Sequence, residues 1–195
     1  MGTAGTVHKW SIIKCPLGIL FFSEIERAVY LIGGEQGLSK ISNEGLFNWF
    51  QQYSKSFLND QFQELELIDF PNSNNPANPN GIGIHSVYDP RHQRVIFTKR
   101  DYLILPKYTA LFSIYDGVIP MVAGRIIYDI NAHVFGIATS PTTYNIISLD
   151  DADYFENKSF TISYSVLTQT WISFHSYIPL FFLELQKNQD LFYEK

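Results

Sequence analysis

The chain repeats one pattern, in which a short apolar run is followed by a polar loop and a second apolar run. Polar loops of a few residues between apolar runs are typical of β-hairpins. The pattern therefore predicts five antiparallel hairpins in a mainly β protein. The five stretches are residues 18–34, 86–98, 124–139, 160–176 and 180–195.

The loop of the second hairpin gathers Asp89, Arg91, His92 and Arg94, a set of side chains that would also suit a binding site. The loops of the other hairpins carry different residues, while the apolar runs on either side keep their character. A turn requires only polarity and tolerated backbone angles, and Asp followed by Pro commonly begins one. We therefore interpret this loop as a hairpin tip.

The composition also favours strands, because Phe, Tyr and Trp make up 16% of the residues. One short α-helix is predicted around residues 44–58, where Leu46, Phe50, Tyr53 and Phe57 recur at helical spacing. Residues 70–83 are rich in Pro and Asn without apolar periodicity, which predicts a linker loop.

These features predict a first blade-like unit with its helix at residues 1–69, the linker at 70–83, and further blade-like hairpins at 84–195 with an insertion at 103–157. Repeated hairpins of short strands point to a propeller, a solenoid-like array or a sandwich. Propeller blades have four strands, so two hairpins make about one blade. Five hairpins are too few for a closed ring of about four to eight blades. We therefore expect part of a β-propeller-like assembly, either a fragment or a protomer whose sheet edges are covered by partners.

Composition argues against several functional classes. The net charge is −5 and the 14 Lys and Arg residues form no basic run, so stable nucleic-acid binding is not expected. The single Cys15 excludes an internal disulfide and a cysteine zinc cage. No apolar run approaches the roughly 20 residues of a membrane-spanning helix.

Catalytic and cofactor motifs are not apparent, so we predict no enzyme, no cofactor and no metal. The five His residues lack metal-ligand spacing, and no Gly-x-Ser-x-Gly sequence occurs. The best candidate for a cation site is the acidic loop at residues 150–156, which lacks the glycine and the ligand spacing of an EF-hand calcium loop. A solvated loop is the favoured interpretation, and a carboxylate hydrolase is the weakest alternative. The loop residues are Asp150, Asp151, Asp153 and Glu156.

The aromatic residues have two interpretations, a subunit interface or a sugar-stacking platform, although most of them show the periodicity of core residues. Leu180, Phe181 and Phe182 cannot all face inward from a half-buried strand, because neighbouring side chains point to opposite faces. This segment therefore predicts burial on both faces or contact with a partner. The interface candidates are Trp49, Phe50, Tyr177, Leu180, Phe181 and Phe182.

Three stretches of the sequence are similar to a known protein family. They are "KCPLGILFFSEIERAVYLIGG…LSKISNEGLFNWF", "HSVYDPRHQRVIFTKRDY" and "ENKSFTISYSVLTQTWISFHSYIP". These stretches resemble the propeller-like region of the large tail structural proteins of crAss-like bacteriophages, called muzzle or tail stabilisation proteins. The resemblance covers most of residues 10–195. It implies a virion component at the distal end of a short tail, made in the bacterial cytoplasm and assembled as a ring around the DNA exit channel.

The partners implied by this resemblance are other copies of the chain and neighbouring tail proteins. The phage proteins are longer, so a fragment of a larger protein is expected. An acidic surface would repel DNA, which suits a conduit. The alternative is a carbohydrate-binding propeller or adhesin that recognises cell-surface glycans through Trp49 and Trp171.

Overall fold

The computed structural model describes residues 4–33, 37–64, 70–184 and 191–193. Its residues group into two compact units, each built from separate stretches of the chain. The first unit comprises Met1–Ser56, Asn72–Asp101 and Lys158–Lys195, and the second comprises Phe57–Pro71 and Tyr102–Asn157. The sequence-based division, with its boundaries at residues 69, 83, 103 and 157, stays a prediction.

Strands dominate the regular structure of the described residues. In chain order the strands are β1 (Ile13–Cys15), β2 (Gly18–Ser23), β3 (Ala28–Ile32), β4 (Leu38–Lys40), β5 (Gly83–Asp89), β6 (Arg94–Arg100), β7 (Tyr102–Ile104), β8 (Ser113–Tyr115), β9 (Ile126–Asp129), β10 (Val134–Ala138), β11 (Tyr144–Ile147), β12 (Phe155–Asn157), β13 (Phe160–Ser165), β14 (Thr170–His175), β15 (Phe182–Glu184) and β16 (Leu191–Tyr193). The α-helices are α1 (Phe47–Tyr53), α2 (Phe57–Glu64) and α3 (Pro106–Thr109), and short 3-10 helices cover Lys9–Ser11 and Ile41–Asn43.

Two four-stranded antiparallel sheets and one strand pair form the first unit. Sheet A has the order β1-β2-β3-β4, so every connection joins neighbouring strands. Sheet B has the order β14-β13-β6-β5, and β15 pairs with β16. The predicted mainly β, antiparallel fold is thus confirmed. All five predicted hairpins pair as expected, although the loop of the fifth, residues 185–190, lies outside the described residues. The propeller-like arrangement stays a prediction.

The core of the first unit lies between one face of sheet A and one face of sheet B. Alternate residues of each strand point into it, because side chains along a strand alternate between faces. Phe50 of α1 and Ile41 of the second 3-10 helix complete this core. The buried strand residues include Leu20, Phe22, Val29, Ile84, Val95, Phe97, Ile162 and Tyr164.

Four of the hairpins share the same kind of turn. Each loop has four residues, and its last residue adopts a positive φ. Four-residue hairpin loops are commonly built around a type I turn, and the positive φ returns the chain to the neighbouring strand. The four residues are Arg27 (φ 47°), Gln93 (φ 47°), His133 (φ 56°) and Gln169 (φ 55°).

The charged loop after β5 is one of these turns. Asp89 Oδ1 accepts a hydrogen bond from the His92 backbone N–H at 3.2 Å, and Asp89 Oδ2 accepts from Arg94 Nε at 3.0 Å. Burial alone would raise the pKa of Asp89, but hydrogen bonds from His92 and Arg94 outweigh it and leave the pKa below its usual value. The charged residues therefore stabilise a hairpin tip, as the sequence predicted.

The prediction of one helix over residues 44–58 was wrong, because α1 ends at Tyr53 and α2 begins at Phe57. A continuous helix needs the backbone carbonyls of Tyr53 and Lys55 for its own hydrogen bonds. Here the ammonium group of Lys99 donates to both of them, at 3.3 Å for Tyr53. At the end of α1, the Phe50 carbonyl accepts hydrogen bonds from both the backbone N–H and the hydroxyl of Ser54.

The second unit contains a mixed sheet of order β11-β10-β9-β8, in which β8 runs parallel to β9, and the strand pair β12-β7. Its core is mainly aromatic. Phe62 of α2 packs against Phe70 and Tyr128 at ring centroid distances of 5.0 and 5.3 Å. This core also includes the buried rings of Phe112, Phe135 and Phe155.

Candidate functional site

The predicted interface residues on α1 lie in or beside the core. Phe50 is 1% exposed and is a core residue rather than a surface residue. Trp49 is half-buried, and its ring lies 4.7 Å from that of Phe160 and 4.9 Å from that of Phe174. The contacts of Trp49 place α1 on sheet B. Because Phe50 is almost fully buried, it has no exposed surface that a partner could contact.

Trp171, which the glycan alternative requires, is also engaged within the first unit. Its indole N–H donates to the Ile41 carbonyl at 3.2 Å. Its ring packs against Phe50 and Tyr164 at centroid distances of 4.9 and 5.2 Å. Sugar stacking needs a free ring face, so these contacts favour a packing role. The glycan alternative stays a prediction.

The other cluster of predicted interface residues lines a pocket of about 280 Å³ in the first unit. We call it the His85 pocket, and the segment before β15 forms one of its walls. Tyr177 is not among its lining residues and instead packs on His175 at a ring centroid distance of 5.0 Å. The lining residues are Trp10, Pro76, Ala77, His85, Ser86, Leu180, Phe181 and Phe182.

His85 is the buried polar residue of this pocket, with 6% of its surface exposed. Its Nε2 lies 3.1 Å from the Pro179 carbonyl oxygen. A carbonyl oxygen can only accept, so Nε2 carries the hydrogen and donates. Burial, reinforced by the charge of Arg100, lowers the pKa of His85 to about 4, and the bond to Pro179 opposes this only in part. The ring is therefore neutral at neutral pH.

The His85 pocket consequently contains no ionised side chain at neutral pH. The Ser86 hydroxyl already donates to the Ser11 carbonyl at 3.0 Å, and the ring of Phe182 lies 4.9 Å from that of His85. The remaining walls are aliphatic and aromatic. Such a pocket favours an uncharged, apolar group, because a charged group would lose its hydration without gaining a partner.

Sheet A presents a second candidate surface on the face that points away from the core. Directly opposed residues of antiparallel strands lie on the same face of a sheet. Ile32 of β3 is opposite Ile19 of β2 and Leu38 of β4. These three side chains are 47%, 41% and 48% exposed, respectively. They form an apolar row across three strands, which we call the open face of sheet A.

The acidic loop does not gather into a cation site. Asp150 Oδ1 accepts a hydrogen bond from the Tyr102 hydroxyl at 2.6 Å, and Asp151 Oδ1 accepts one from the backbone N–H of Asp153 at 3.0 Å. Across the described residues, no group of three or more His, Cys, Asp or Glu side chains could hold a metal ion. The carboxylates of Asp150 and Asp151 thus have structural hydrogen bonds.

Sequence reasoning missed a run of buried charges at the end of β6. Lys99, Arg100 and Asp101 are 3%, 2% and 1% exposed. The Lys99 ammonium pairs with Asp101 Oδ2 at 2.7 Å, and Arg100 donates to backbone carbonyls of the 70–83 segment. Consecutive charged residues usually indicate a surface, so nothing in the local sequence signalled their burial.

A scan against protein-family models found no match, and a search of curated proteins found no similar sequence. None of the helices in the described ranges is long and apolar enough to cross a membrane.

Proposed function

We propose that this chain is a non-enzymatic structural module of a bacteriophage tail, of the muzzle or tail stabilisation type. It acts by assembling with other copies of itself and with neighbouring tail proteins around the DNA exit channel. The observation that carries the proposal is the open face of sheet A. Sheet A has four antiparallel strands, the number found in a propeller blade, and it packs on one face and presents an apolar row on the other.

The open face has the character of a surface that another sheet would cover. Burying the exposed parts of Ile19, Ile32 and Leu38 would each contribute about 2 kcal/mol at ~25 cal/mol per Å². A neighbouring subunit that covers this row would thus gain several kcal/mol before the loss of its translational and rotational freedom. Contiguous exposed apolar patches mark sites of interaction with proteins, membranes or ligands, and a contact with another protein subunit is the one proposed for this row.

The resemblance to phage tail proteins supports the same proposal. The stretches that carry it contain β2, β3 and β4, the first half of α1, most of the β5–β6 hairpin and the whole β13–β14 hairpin. These elements contribute most of sheets A and B. The net charge of −5 is consistent with a conduit that does not retain DNA.

The assembly is tested by light scattering after size-exclusion chromatography, with Ile32→Glu as the disrupting variant. The wild-type chain is expected to form an oligomer of defined size. The Ile32→Glu variant is expected to form the same oligomer with a dissociation constant at least tenfold higher. Ile25→Glu is the matched control, because Ile25 is 76% exposed at the tip of the β2–β3 turn. A monomeric wild-type chain, or equal effects of the two variants, would refute assembly through this face.

The location is tested by immunogold labelling of tailed particles purified from the cells that make this chain. Label is expected at the distal end of the tail. Particles that carry no trace of the chain would refute the tail assignment, whatever the oligomeric state of the purified protein.

A further inference from the structure

The second unit exposes an apolar loop between β8 and β9. Val118 is 81% exposed, Ile119 is 65% exposed, and the adjacent Pro120 is also exposed. We call these three residues the apolar knob. Single exposed aliphatic residues are common, but three in succession on one loop form a contiguous apolar surface, which indicates a contact with another molecule.

Polar contacts at its base constrain the backbone of the apolar knob. Asp116 Oδ1 accepts hydrogen bonds from the backbone N–H groups of Val118 and Ile119, at 2.9 and 3.1 Å. The Asn131 side chain donates to the Asp116 carbonyl at 2.9 Å. A preorganised loop loses less conformational freedom on binding, so its apolar side chains contribute more to affinity.

The His85 pocket has the size and the chemistry to accept this knob. Apolar cavities of about 150 Å³ hold a benzene molecule, so a pocket of about 280 Å³ has room for two aliphatic side chains. Its walls are uncharged and mainly aromatic or aliphatic. The knob likewise carries no charge, so neither partner would bury an unpaired ion.

The charges next to the two surfaces are opposite in sign. Lys9 Nζ lies 5.1 Å from the ring centroid of Trp10, which lines the pocket. Asp116 lies two residues before the knob. Backbone N–H groups of Val118 and Ile119 lower the pKa of its exposed carboxyl group, which is therefore ionised at neutral pH. The positive charge of Lys9 beside Trp10 and the negative charge of Asp116 beside the knob favour docking of one surface on the other.

We propose that the apolar knob of one copy inserts into the His85 pocket of a second copy, with Asp116 beside Lys9. This inference rests on the proposed function, namely that copies of the chain assemble, and it names the surfaces that meet. Each copy has one knob and one pocket, so the contact is head-to-tail. Head-to-tail contacts generate rings when the rotation closes and filaments when it does not.

The test uses one variant for each surface, both made in the Ile32→Glu background so that the open face of sheet A does not contribute. Ile119→Asp disables the knob. Ala77→Trp fills the pocket from an exposed lining position, where a larger side chain does not disturb the core. Each variant alone is expected to raise the dissociation constant at least about 30-fold in sedimentation analysis. Ile146→Asp, at a site that is 69% exposed, is the matched control and should have no effect.

The decisive measurement is a 1:1 mixture of the two variants. The intact knob of the Ala77→Trp chain can enter the intact pocket of the Ile119→Asp chain, while the other two surfaces are disabled. The mixture should therefore form a heterodimer and nothing larger. A mixture that stays monomeric, or single variants that associate like their background, would overturn the inference while leaving the result for Ile32→Glu alone intact.

A lipid surface is the competing occupant of the knob. Flotation with vesicles of phosphatidylcholine and phosphatidylglycerol distinguishes the two. The proposed contact between copies requires that wild-type protein and Ile119→Asp both stay unbound. Vesicle binding by the wild-type chain that is lost in Ile119→Asp would assign the knob to a membrane and overturn the proposal.

Discussion

Acid should destabilise the first unit through two buried histidines. His8 and His85 are 3% and 6% exposed. Burial lowers the pKa of each from 6.5 to about 4, with smaller effects from the charges of Lys99 on His8 and Arg100 on His85. Glu24 Oε2 lies 3.5 Å from His8 Nε2 and does not offset this burial.

Acid lowers the stability because the unfolded chain takes up these protons at a higher pH than the folded chain does. The unfolded chain binds a proton at each histidine as the pH falls through about 6.5, whereas the folded chain does not until about 4. Unfolding is therefore increasingly favoured between these values, and the full stability is present above pH 6.5. A pKa lowered from 6.5 to about 4 corresponds to about 3 kcal/mol for each histidine.

The assay is urea unfolding followed by tryptophan fluorescence at several pH values from 7 to 4. All three tryptophans, Trp10, Trp49 and Trp171, belong to the first unit, so the signal reports on that unit. His85→Gln keeps an N–H donor for the Pro179 carbonyl but does not titrate in this range. Its loss of unfolding free energy on acidification should be smaller than that of the wild type by about 3 kcal/mol.

Ser86→Ala is the control, because it alters the same pocket without removing a titrating group. It should lower the stability by a similar amount at every pH. If wild type and His85→Gln lost stability in parallel between pH 7 and 4, the buried neutral histidine would not be the cause of the acid sensitivity.

Two further substitutions test the packing of the first unit. Arg100→Met removes hydrogen bonds to the carbonyls of Pro76 and Asn78, at 2.7 and 2.9 Å, and should reduce the free energy of unfolding by about 2–3 kcal/mol. Faster hydrogen exchange should follow in the 70–83 segment, and unchanged exchange there would contradict the anchoring role. Gly18→Ala places a Cβ 2.2 Å from the Ile32 carbonyl oxygen at a φ of 137°, so it should cost more than about 3 kcal/mol in thermal denaturation. Gly37→Ala, at φ 69° with open space around it, should cost only about 1 kcal/mol, and similar losses for both would refute the steric argument.

The hairpins could be predicted from the sequence because they are local. Each needs only alternating apolar residues, a short polar loop and a return strand, and the four shared turns show how regular this solution is. The helix boundary could not be predicted. It coincides with a contact from Lys99, a residue about 45 positions further along the chain, whose ammonium group donates to the carbonyls of Tyr53 and Lys55.

The His85 pocket could be predicted only in part, because it also depends on residues that are distant in sequence. Leu180, Phe181 and Phe182 were recognised because three consecutive apolar residues cannot all face one side of a strand. Trp10 and His85 lie far from them in sequence, and only the fold brings these residues to one pocket. The apolar knob has a similar composition to the buried runs, so its exposure was not evident from the residues themselves.

The order of strands in sheet B determines when this protein can finish folding. The centre of the sheet joins β6 to β13, and the hydrogen bond between Thr98 and Thr161 links residues 63 positions apart. Closing so long a loop is entropically unfavourable, which slows folding. At roughly 5–20 residues per second, a ribosome needs about 3–13 seconds to add the missing partner strand. During that interval β6 has an unpaired edge, so the nascent chain is more prone to aggregate than the completed protein.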